Sequence, residues 1–240
     1  MVLTKLFVKP MHCFVYSVAL PKLPITCVCG SSYNVNHALT CARGGFVIIR
    51  HNEVRDLTSD LLSTVCKDVE LEPVLQPLTG ENFTKKSANT EAGARLDVSA
   101  RGFWTRGNKA FVDVRIFNPI SKTNMSKSLK SAYKANENAK KREYNERVLQ
   151  IEHGTFTPLI FSTFGGTGFE GNRFMKKLNE KIAQKMDENL SIVTNYTRTK
   201  YSFALLRTTL LCIRGSRSHK LTFKTEETEM KLAVAEARLC

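Results

Sequence analysis

The chain has 240 residues, and lysine plus arginine outnumber aspartate plus glutamate by 36 to 22, which gives a formal net charge of +14. A chain of this length can bury a core without disulfide support, and it suits one domain with appendages or two small domains. The composition excludes a low-complexity or repeat architecture. The basic excess favours a polyanionic partner such as nucleic acid, with a basic surface that binds no such partner as the alternative.

Cysteine usage and the first residues bear on the cellular setting. The seven cysteines are Cys13, Cys27, Cys29, Cys41, Cys66, Cys212 and Cys240. Because their number is odd and four are scattered, a reduced intracellular setting is favoured over a secreted disulfide framework. The apolar run of residues 1–26 is broken by His12, lacks a signal-peptide cleavage site and is too short to span a bilayer. We therefore interpret these residues as a leader strand or as the ragged start of a truncated unit.

The stretch CVCGSSYNVNHALTC contains four potential metal ligands, Cys27, Cys29, His37 and Cys41. Sulfur and imidazole ligands at short spacing are typical of tetrahedral zinc, although Cys-x-Cys is tighter than the usual gap. A short helix would place the histidine and the last cysteine on one face. We predict a structural zinc knuckle over residues 27–45, because no ligand position is left open for water. Free buried cysteines beside a chance histidine are the alternative.

The segment after the knuckle has the patterns of a helix, a strand and a hairpin. Helical spacing of Val54, Leu57, Leu61 and Val65 predicts a helix with Asn52 as its N-cap. The run DVELEPVLQPL predicts a strand that is ended by prolines. Two alternating runs, ARLDVSARGFW and KAFVDVRIFNP, are joined by TRGN and predict a β-hairpin.

The second half of the chain has the patterns of three helices and one strand. Residues 127–150 predict a polar helix and TPLIFSTF predicts a strand. Phe174, Leu178, Ile182 and Met186 at helical spacing predict an amphipathic helix, whose lysines form a solvated face or extend a DNA-binding surface. YSFALLRTTLLCI predicts a last helix closed by Gly215. This order of elements predicts an α/β fold around one mixed sheet.

Two acids lie inside apolar strands, Asp97 in RLDVSA and Asp113 in AFVDVRIF. A carboxylate in a core strand is costly unless something holds it, and two on adjacent strands can converge on a hard cation such as Mg²⁺. Arg115 would face the same side as Asp113 and could stabilise negative charge on a phosphate, while Glu53 is a candidate third acid. The alternatives are a structural ion pair with Arg95 or Arg115, or an edge exposed to water.

The order of these motifs resembles the restriction-like endonuclease region at the C-terminal end of site-specific non-LTR retrotransposon proteins, which belongs to the PD-(D/E)xK nuclease superfamily. The knuckle matches, as does RHN at residues 50–52. RLD at residues 95–97 stands where the family has Arg/Lys-Pro-Asp, and Asp113 matches the second acid. KKREY at residues 140–144 lies where the family carries a helix with lysines. The resemblance covers roughly residues 27 to 165.

Several positions depart from the family pattern. Leu96 replaces the proline, the interval between the two acids is slightly longer, and Glu143 replaces a lysine before Tyr144. Arg115 stands where many superfamily members have lysine, and a permanently charged guanidinium cannot serve as a base. The catalytic lysine expected from the resemblance is therefore Lys140 or Lys141.

The resemblance implies a fold and a set of domains. A restriction-endonuclease-like mixed sheet flanked by helices would span residues 46–165, preceded by the knuckle and followed by C-terminal helices at 166–215 and a charged tail at 216–240. The sequence has no reverse transcriptase motif. The chain would therefore be a fragment of a mobile element, or a host gene derived from one.

The resemblance also implies metal-dependent nicking of DNA in the nucleus, with RNA as a second possible partner and no membrane. Asp97 and Asp113 would bind Mg²⁺ or Mn²⁺, Glu53 would complete the site, and Lys140 or Lys141 would steady the phosphate with Arg115. Zinc would have a structural role and would not take part in catalysis. Three arginines near the knuckle would contact the DNA backbone: Arg43, Arg50 and Arg55. His51, beside the predicted helix cap, is more typical of a structural hydrogen bond than of catalysis.

Two alternatives to an active nuclease stay open at this point: a nucleic-acid-binding module without catalysis, and a remnant without a selected function. Convergence of the acids with a lysine would favour the nuclease. Lys140 and Lys141 pointing away, with Arg115 paired to both acids, would favour the binding module.

Overall fold

The structure is a computed structural model, and it describes residues 24–77 and 94–215. Most of the predicted leader, the predicted charged tail and part of the loop before the hairpin lie outside the described residues. The elements in chain order are α1 Val35–Ala38, α2 Phe46–Ser63, β1 Lys67–Leu71, β2 Val98–Arg101, β3 Lys109–Phe117, α3 Leu129–Gln150, β4 Thr155–Ser162, α4 Phe169–Met186 and α5 Leu190–Arg214. The predicted mixed α/β class is confirmed.

The four strands form one sheet in the order β1-β2-β3-β4. The first three pair antiparallel, whereas β3 and β4 pair parallel and place Asp113 opposite Pro158. Parallel neighbours need a long crossover connection, which the 22 residues of α3 supply. The predicted hairpin is confirmed, and Gly107 in its turn adopts a φ of 87°, which residues with a Cβ rarely adopt.

Helices bury both faces of the sheet. On one face, Val112 and Val114 pack in a core that includes Val54 of α2, Phe174 of α4 and Leu205 of α5. On the other face, residues of α3 cover Phe111 and Phe117 of β3. Each fully buried apolar side chain of this size contributes about 1.5–3 kcal/mol. Burial on both faces explains why the β3 sequence is almost continuously apolar, and why an aspartate within it is exceptional.

Two helix starts differ from the sequence prediction. The helix predicted from Asn52 begins at Phe46, after Gly45 with a φ of 71°, so the prediction of Asn52 as the N-cap is wrong. The last helix begins at Leu190, where the Asn189 side chain accepts a hydrogen bond from the amide of Ser191. In both cases the first turns precede the apolar residues from which the helix was predicted. Contacts with other elements stabilise these additional turns.

The knuckle segment packs against the end of the last helix. Ala38 and Leu39 form a buried cluster with Phe164, Cys212 and Ile213. A side chain on Gly215 would place its Cβ 2.2 Å from the ring of Phe46, so this position accepts only glycine without rearrangement. The small Cys/His segment and α5 are therefore one packed unit. Across residues 24–77 and 94–215, every helix falls short of the length and apolarity that crossing a membrane requires.

Candidate functional site

The four predicted knuckle ligands converge on one point. The ligand atoms of Cys27, Cys29, His37 and Cys41 all lie within 4.8 Å of one another. Sγ of Cys27 lies 3.9 Å from Sγ of Cys41, and Sγ of Cys29 lies 3.3 Å from Nε2 of His37. Ligands on a tetrahedral zinc ion are separated by roughly 3.4–3.8 Å. The group can therefore hold a metal ion, and its ligand set is consistent with zinc.

The local sequence explains how these ligands are positioned. The turn after Cys27 closes with a hydrogen bond from the Gly30 amide to the Cys27 carbonyl, and Gly30 adopts a φ of 86°. The Asn34 side chain accepts from the His37 amide and starts α1. Hydrogen bonds with the hydroxyl and backbone of Ser31 lower the pKa of Cys29 to about 6, which favours the thiolate that binds metals.

The two strand acids lie close together where β2 begins beside β3. The side chain of Asp97 is 17% exposed and that of Asp113 is 7% exposed. Oδ2 of Asp97 accepts a 2.6 Å hydrogen bond from the Val114 amide. Asp97 precedes β2, and its side-chain oxygen accepts the hydrogen bond that a backbone carbonyl would accept in a paired strand. The side chain is therefore held against β3. The prediction that Asp97 lies inside a strand is therefore wrong, because β2 begins at Val98, but the Val114 amide still holds its side chain beside β3, which carries Asp113.

His51 on α2 holds the first acid from the other side. Its Nε2 lies 3.2 Å from Oδ2 of Asp97 and 3.1 Å from the carbonyl oxygen of Val114. Both neighbours are acceptors, so Nε2 carries a proton. Burial lowers the pKa of His51, but the hydrogen bond and charge of Asp97 outweigh it and raise the pKa to about 8. The sequence suggested a structural hydrogen bond for His51, and the bond is made to the candidate site itself.

A lysine from α3 contacts the second acid. Nζ of Lys140 lies 3.1 Å from Oδ1 and 3.0 Å from Oδ2 of Asp113, and 5.2 Å from the centre of the Tyr144 ring. Lys141 instead forms an ion pair with Glu170 of α4. Arg115 is exposed and forms no ion pair with either acid within the described residues. Of the two lysines considered from the sequence, Lys140 is therefore the one at the paired acids.

Each acid keeps one carboxylate oxygen free of hydrogen bonds. Oδ2 of Asp113 is buried without a hydrogen-bond partner, because the Lys140 ammonium approaches it outside hydrogen-bond geometry. Within the described residues, Oδ1 of Asp97 also makes no hydrogen bond. Burial, followed by the charge of Asp97, raises the pKa of Asp113 to about 7, against the opposing charges of Lys140 and His51. Burial and the neighbouring carboxylate therefore disfavour ionisation of Asp113 in the protein by itself.

Asp113→Asn is expected to stabilise the metal-free protein at about pH 8 by 1–3 kcal/mol, as order of magnitude. The folded pKa of about 7 lies above the ordinary 3.8, so folding disfavours ionisation and wild-type stability falls as pH rises through this interval. Asparagine carries no charge and avoids this loss, so the advantage disappears near pH 4. Urea unfolding at both pH values without divalent metal measures the difference.

The control for this experiment is Asp68→Asn on β1, whose exposed carboxylate pairs with Arg101. Surface ion pairs contribute little, so this variant should change stability by less than about 1 kcal/mol at either pH. A loss of stability in Asp113→Asn at about pH 8 would instead mean that Asp113 and Lys140 are a structural ion pair.

The structure gives other partners to three further residues that were predicted to belong to the site. Glu53 forms an ion pair with Arg207 of α5. Among the described residues, the Cys/His cluster is the only group of three or more potential metal ligands that lie close together, so Glu53 does not complete a site with the paired acids.

Arg50 is 1% exposed and donates a 3.1 Å hydrogen bond to the Leu39 carbonyl, so the prediction that it contacts DNA is wrong. The side chain of Arg55 is 12% exposed and pairs with Asp56 and Glu72, so the same prediction is wrong for Arg55. Arg50 is one turn before buried Val54, and this spacing could have placed it on the inward face. Arg43 is exposed.

Comparison with protein families and with curated proteins does not identify this site. No model of a known protein family matches the sequence, and no curated protein matches it either. The functional argument therefore depends on the two centres of this chain: the Cys/His cluster, and the pair Asp97 and Asp113 with Lys140 and His51 around it.

Proposed function

We propose that this chain is a metal-dependent endonuclease that cuts a phosphodiester bond of DNA at Asp97, Asp113 and Lys140. One observation carries the proposal: two largely buried carboxylates, each with an oxygen free of hydrogen bonds, lie near each other, and a lysine ammonium contacts the one of Asp113. Two acids and a lysine are the residues that define PD-(D/E)xK nucleases, which the sequence resembles. A restriction-endonuclease-like fold, a retrotransposon origin and action in the nucleus belong to the same proposal.

The donor set fits a hard divalent cation. It consists of carboxylate oxygens only, and Mg²⁺ in phosphoryl chemistry is commonly held by one or two carboxylates, with water and phosphate oxygens in the other positions. Asp97 and Asp113 would bind Mg²⁺ or Mn²⁺ here. Bound at this point, the ion would polarise the phosphodiester and lower the pKa of an attacking water.

The protein's own residues would orient the acids and balance charge. The Val114 amide and His51 hold Asp97 through one oxygen and leave the other directed away from these donors. Lys140 places a positive charge at Asp113, where it would stabilise negative charge that develops on a bound phosphate. Arg115 is two residues further along β3 and has no ion-pair partner within the described residues, so it is available to a neighbouring phosphate.

We propose zinc as the metal of the Cys/His cluster, in a structural role. Three sulfur atoms and one imidazole nitrogen fill a tetrahedral set and leave no position for a reacting water. The cluster would then shape the protein beside the cutting site without taking part in the cut.

A nucleic-acid-binding module without catalysis is the second candidate. It is favoured by Glu53, whose ion pair with Arg207 keeps it away from the acids, and by Arg115 at the position of a lysine. The convergence of Lys140 with Asp113 and the absence of an Arg115 ion pair in the described residues favour the nuclease.

Plasmid nicking with Mg²⁺ or Mn²⁺ tests the proposal, with the wild-type chain compared with Asp97→Ala. Loss of a metal-ligating carboxylate is expected to reduce the nicking rate by roughly 10³-fold. Asp68→Ala, which removes an exposed acid on β1, is the matched control and should nick at the wild-type rate. DNA binding without nicking in the wild-type protein would establish the binding module instead.

A further inference from the structure

A cleft of about 780 Å³ lies between the Cys/His segment and α3, and we refer to it as the knuckle cleft. Its walls come from residues 31–40, residues 121–127 and one face of α3, with Arg115 of β3 between them. It lies beside the candidate cutting site, because Arg115 is two residues from Asp113 and Ala139 in its wall adjoins Lys140. Of the residues that line the cleft, the proposed function uses only Arg115 and the zinc ligand His37.

The charge of the knuckle cleft has one sign. Arg115, Lys122 and Lys127 line it, all three are exposed, and none makes an ion pair within the described residues. No aspartate or glutamate is among the described residues that line it. By contrast, the nearby lysines Lys140 and Lys141 are both neutralised by acids. The cleft therefore concentrates unneutralised positive charge, which attracts anions.

Two of the four asparagines that line the knuckle cleft are fixed in place and keep unused donors. Oδ1 of Asn34 accepts from the His37 amide, and Oδ1 of Asn36 accepts a 2.6 Å hydrogen bond from Asn118. Their Nδ2 groups make no hydrogen bond within the described residues. Because the oxygen of each side-chain amide is already held, its NH₂ group can donate to a phosphate oxygen with little further loss of conformational entropy.

We propose that the knuckle cleft binds one strand of nucleic acid through its sugar–phosphate backbone, and its place beside the cut bond rests on the proposed function. Pockets of this volume enclose ligands the size of one or two nucleotides. A duplex is too large to enter, since its major groove alone is about 12 Å wide. Phe117, the aromatic residue in the lining, is 6% exposed and packs against Tyr133, so it offers no face for base stacking. Recognition of the backbone predicts little sequence preference.

The test is binding of labelled oligonucleotides of about 12 nucleotides to the full chain with its bound metal and without added Mg²⁺. In Lys122→Ala/Lys127→Ala, the Kd for a single strand is expected to rise about tenfold at about 0.1 M salt. The slope of log K against log salt should flatten by about 1.4, because each lost phosphate contact of a single strand removes about 0.7.

The matched control is Lys67→Ala/Lys200→Ala, which removes the same charge from two exposed lysines on β1 and α5. It should change the single-strand Kd by less than about twofold, which separates a defined site from general attraction. Equal losses in the two variants, or a loss only for duplex, would overturn the proposal. DNA and RNA single strands of the same sequence are compared. A loss of affinity for either one supports a single-strand site, and the affected strand shows whether the site binds deoxyribose or ribose.

This test fails independently of the nicking test. If the wild-type chain nicks DNA but the cleft variant binds single strands normally, the cleft proposal alone is overturned. If no nicking occurs but the cleft variant loses single-strand binding, the cleft proposal holds and the nuclease proposal fails. Melting temperature and metal content should be unchanged, since both lysines are exposed and lie outside the metal cluster.

Discussion

Removal of the metal from the Cys/His cluster is expected to lower the melting temperature by about 10 °C or more, which corresponds to a loss of about 4 kcal/mol in a domain of this size. The segment that carries the ligands has little structure of its own, since α1 has four residues and a single turn is unstable in isolation. The cluster would therefore depend on a bound ion for its shape.

The effect should reach beyond the cluster because of its packing. Ala38 and Leu39 bury Cys212 and Ile213 at the end of α5. Arg50 is almost fully buried, and the Leu39 carbonyl accepts one of its hydrogen bonds. If the segment moves, this guanidinium loses a partner inside the protein, which costs about 1–3 kcal/mol or more for a charged group.

The measurement is the zinc content of the purified chain, followed by melting curves before and after chelation and for Cys41→Ser. Cys66→Ser is the control, because Cys66 is a half-buried cysteine after α2 and lies outside the cluster. It should retain the metal. A chain that binds no metal, or that melts at the same temperature with and without it, would refute a structural metal centre.

Lys140→Ala is expected to reduce the nicking rate by about 10²–10³-fold, whereas Lys141→Ala should reduce it by less than about threefold. The two lysines are adjacent on α3, yet only Nζ of Lys140 reaches Asp113, at 3.0 Å. Lys141 pairs with Glu170 at a partly exposed position, which is worth little to stability or to the chemistry at the acids.

Single-turnover nicking of a supercoiled plasmid measures both rates, and the adjacent lysine serves as the matched control. Lys140→Arg keeps the charge and tests whether the charge alone is sufficient, because arginine cannot act as a base. Equal losses in the two alanine variants would show that α3 has been disturbed as a whole. An unaffected rate in Lys140→Ala would remove this residue from the mechanism.

Local pattern was sufficient to predict much of the architecture. The ligand set Cys27, Cys29, His37 and Cys41 could be read from spacing. The short helix predicted to carry both His37 and Cys41 ends at Ala38, but the Cys41 amide still donates to the His37 carbonyl. The hairpin followed from alternation and a glycine turn, and α4 followed from its apolar period. In each case the residues that determine the structure are close together in sequence, so short-range geometry decides it.

Ion pairing could not be predicted in this way. The choice between Lys140 and Lys141 depends on how α3 lies across β3, and the ion pair of Glu53 depends on α5, which follows more than a hundred residues later. Burial of Arg50 likewise requires the end of α5 and the knuckle to meet around it.

The sequence by itself determined which chemical groups are present and which helices and strands carry them, because spacing and period are local properties. Only the tertiary structure decided which groups meet. A charged side chain selects its partner by distance and desolvation, and both are fixed when distant elements pack together. The paired acids are therefore a candidate site because α2 brings His51 to Asp97 and α3 brings Lys140 to Asp113.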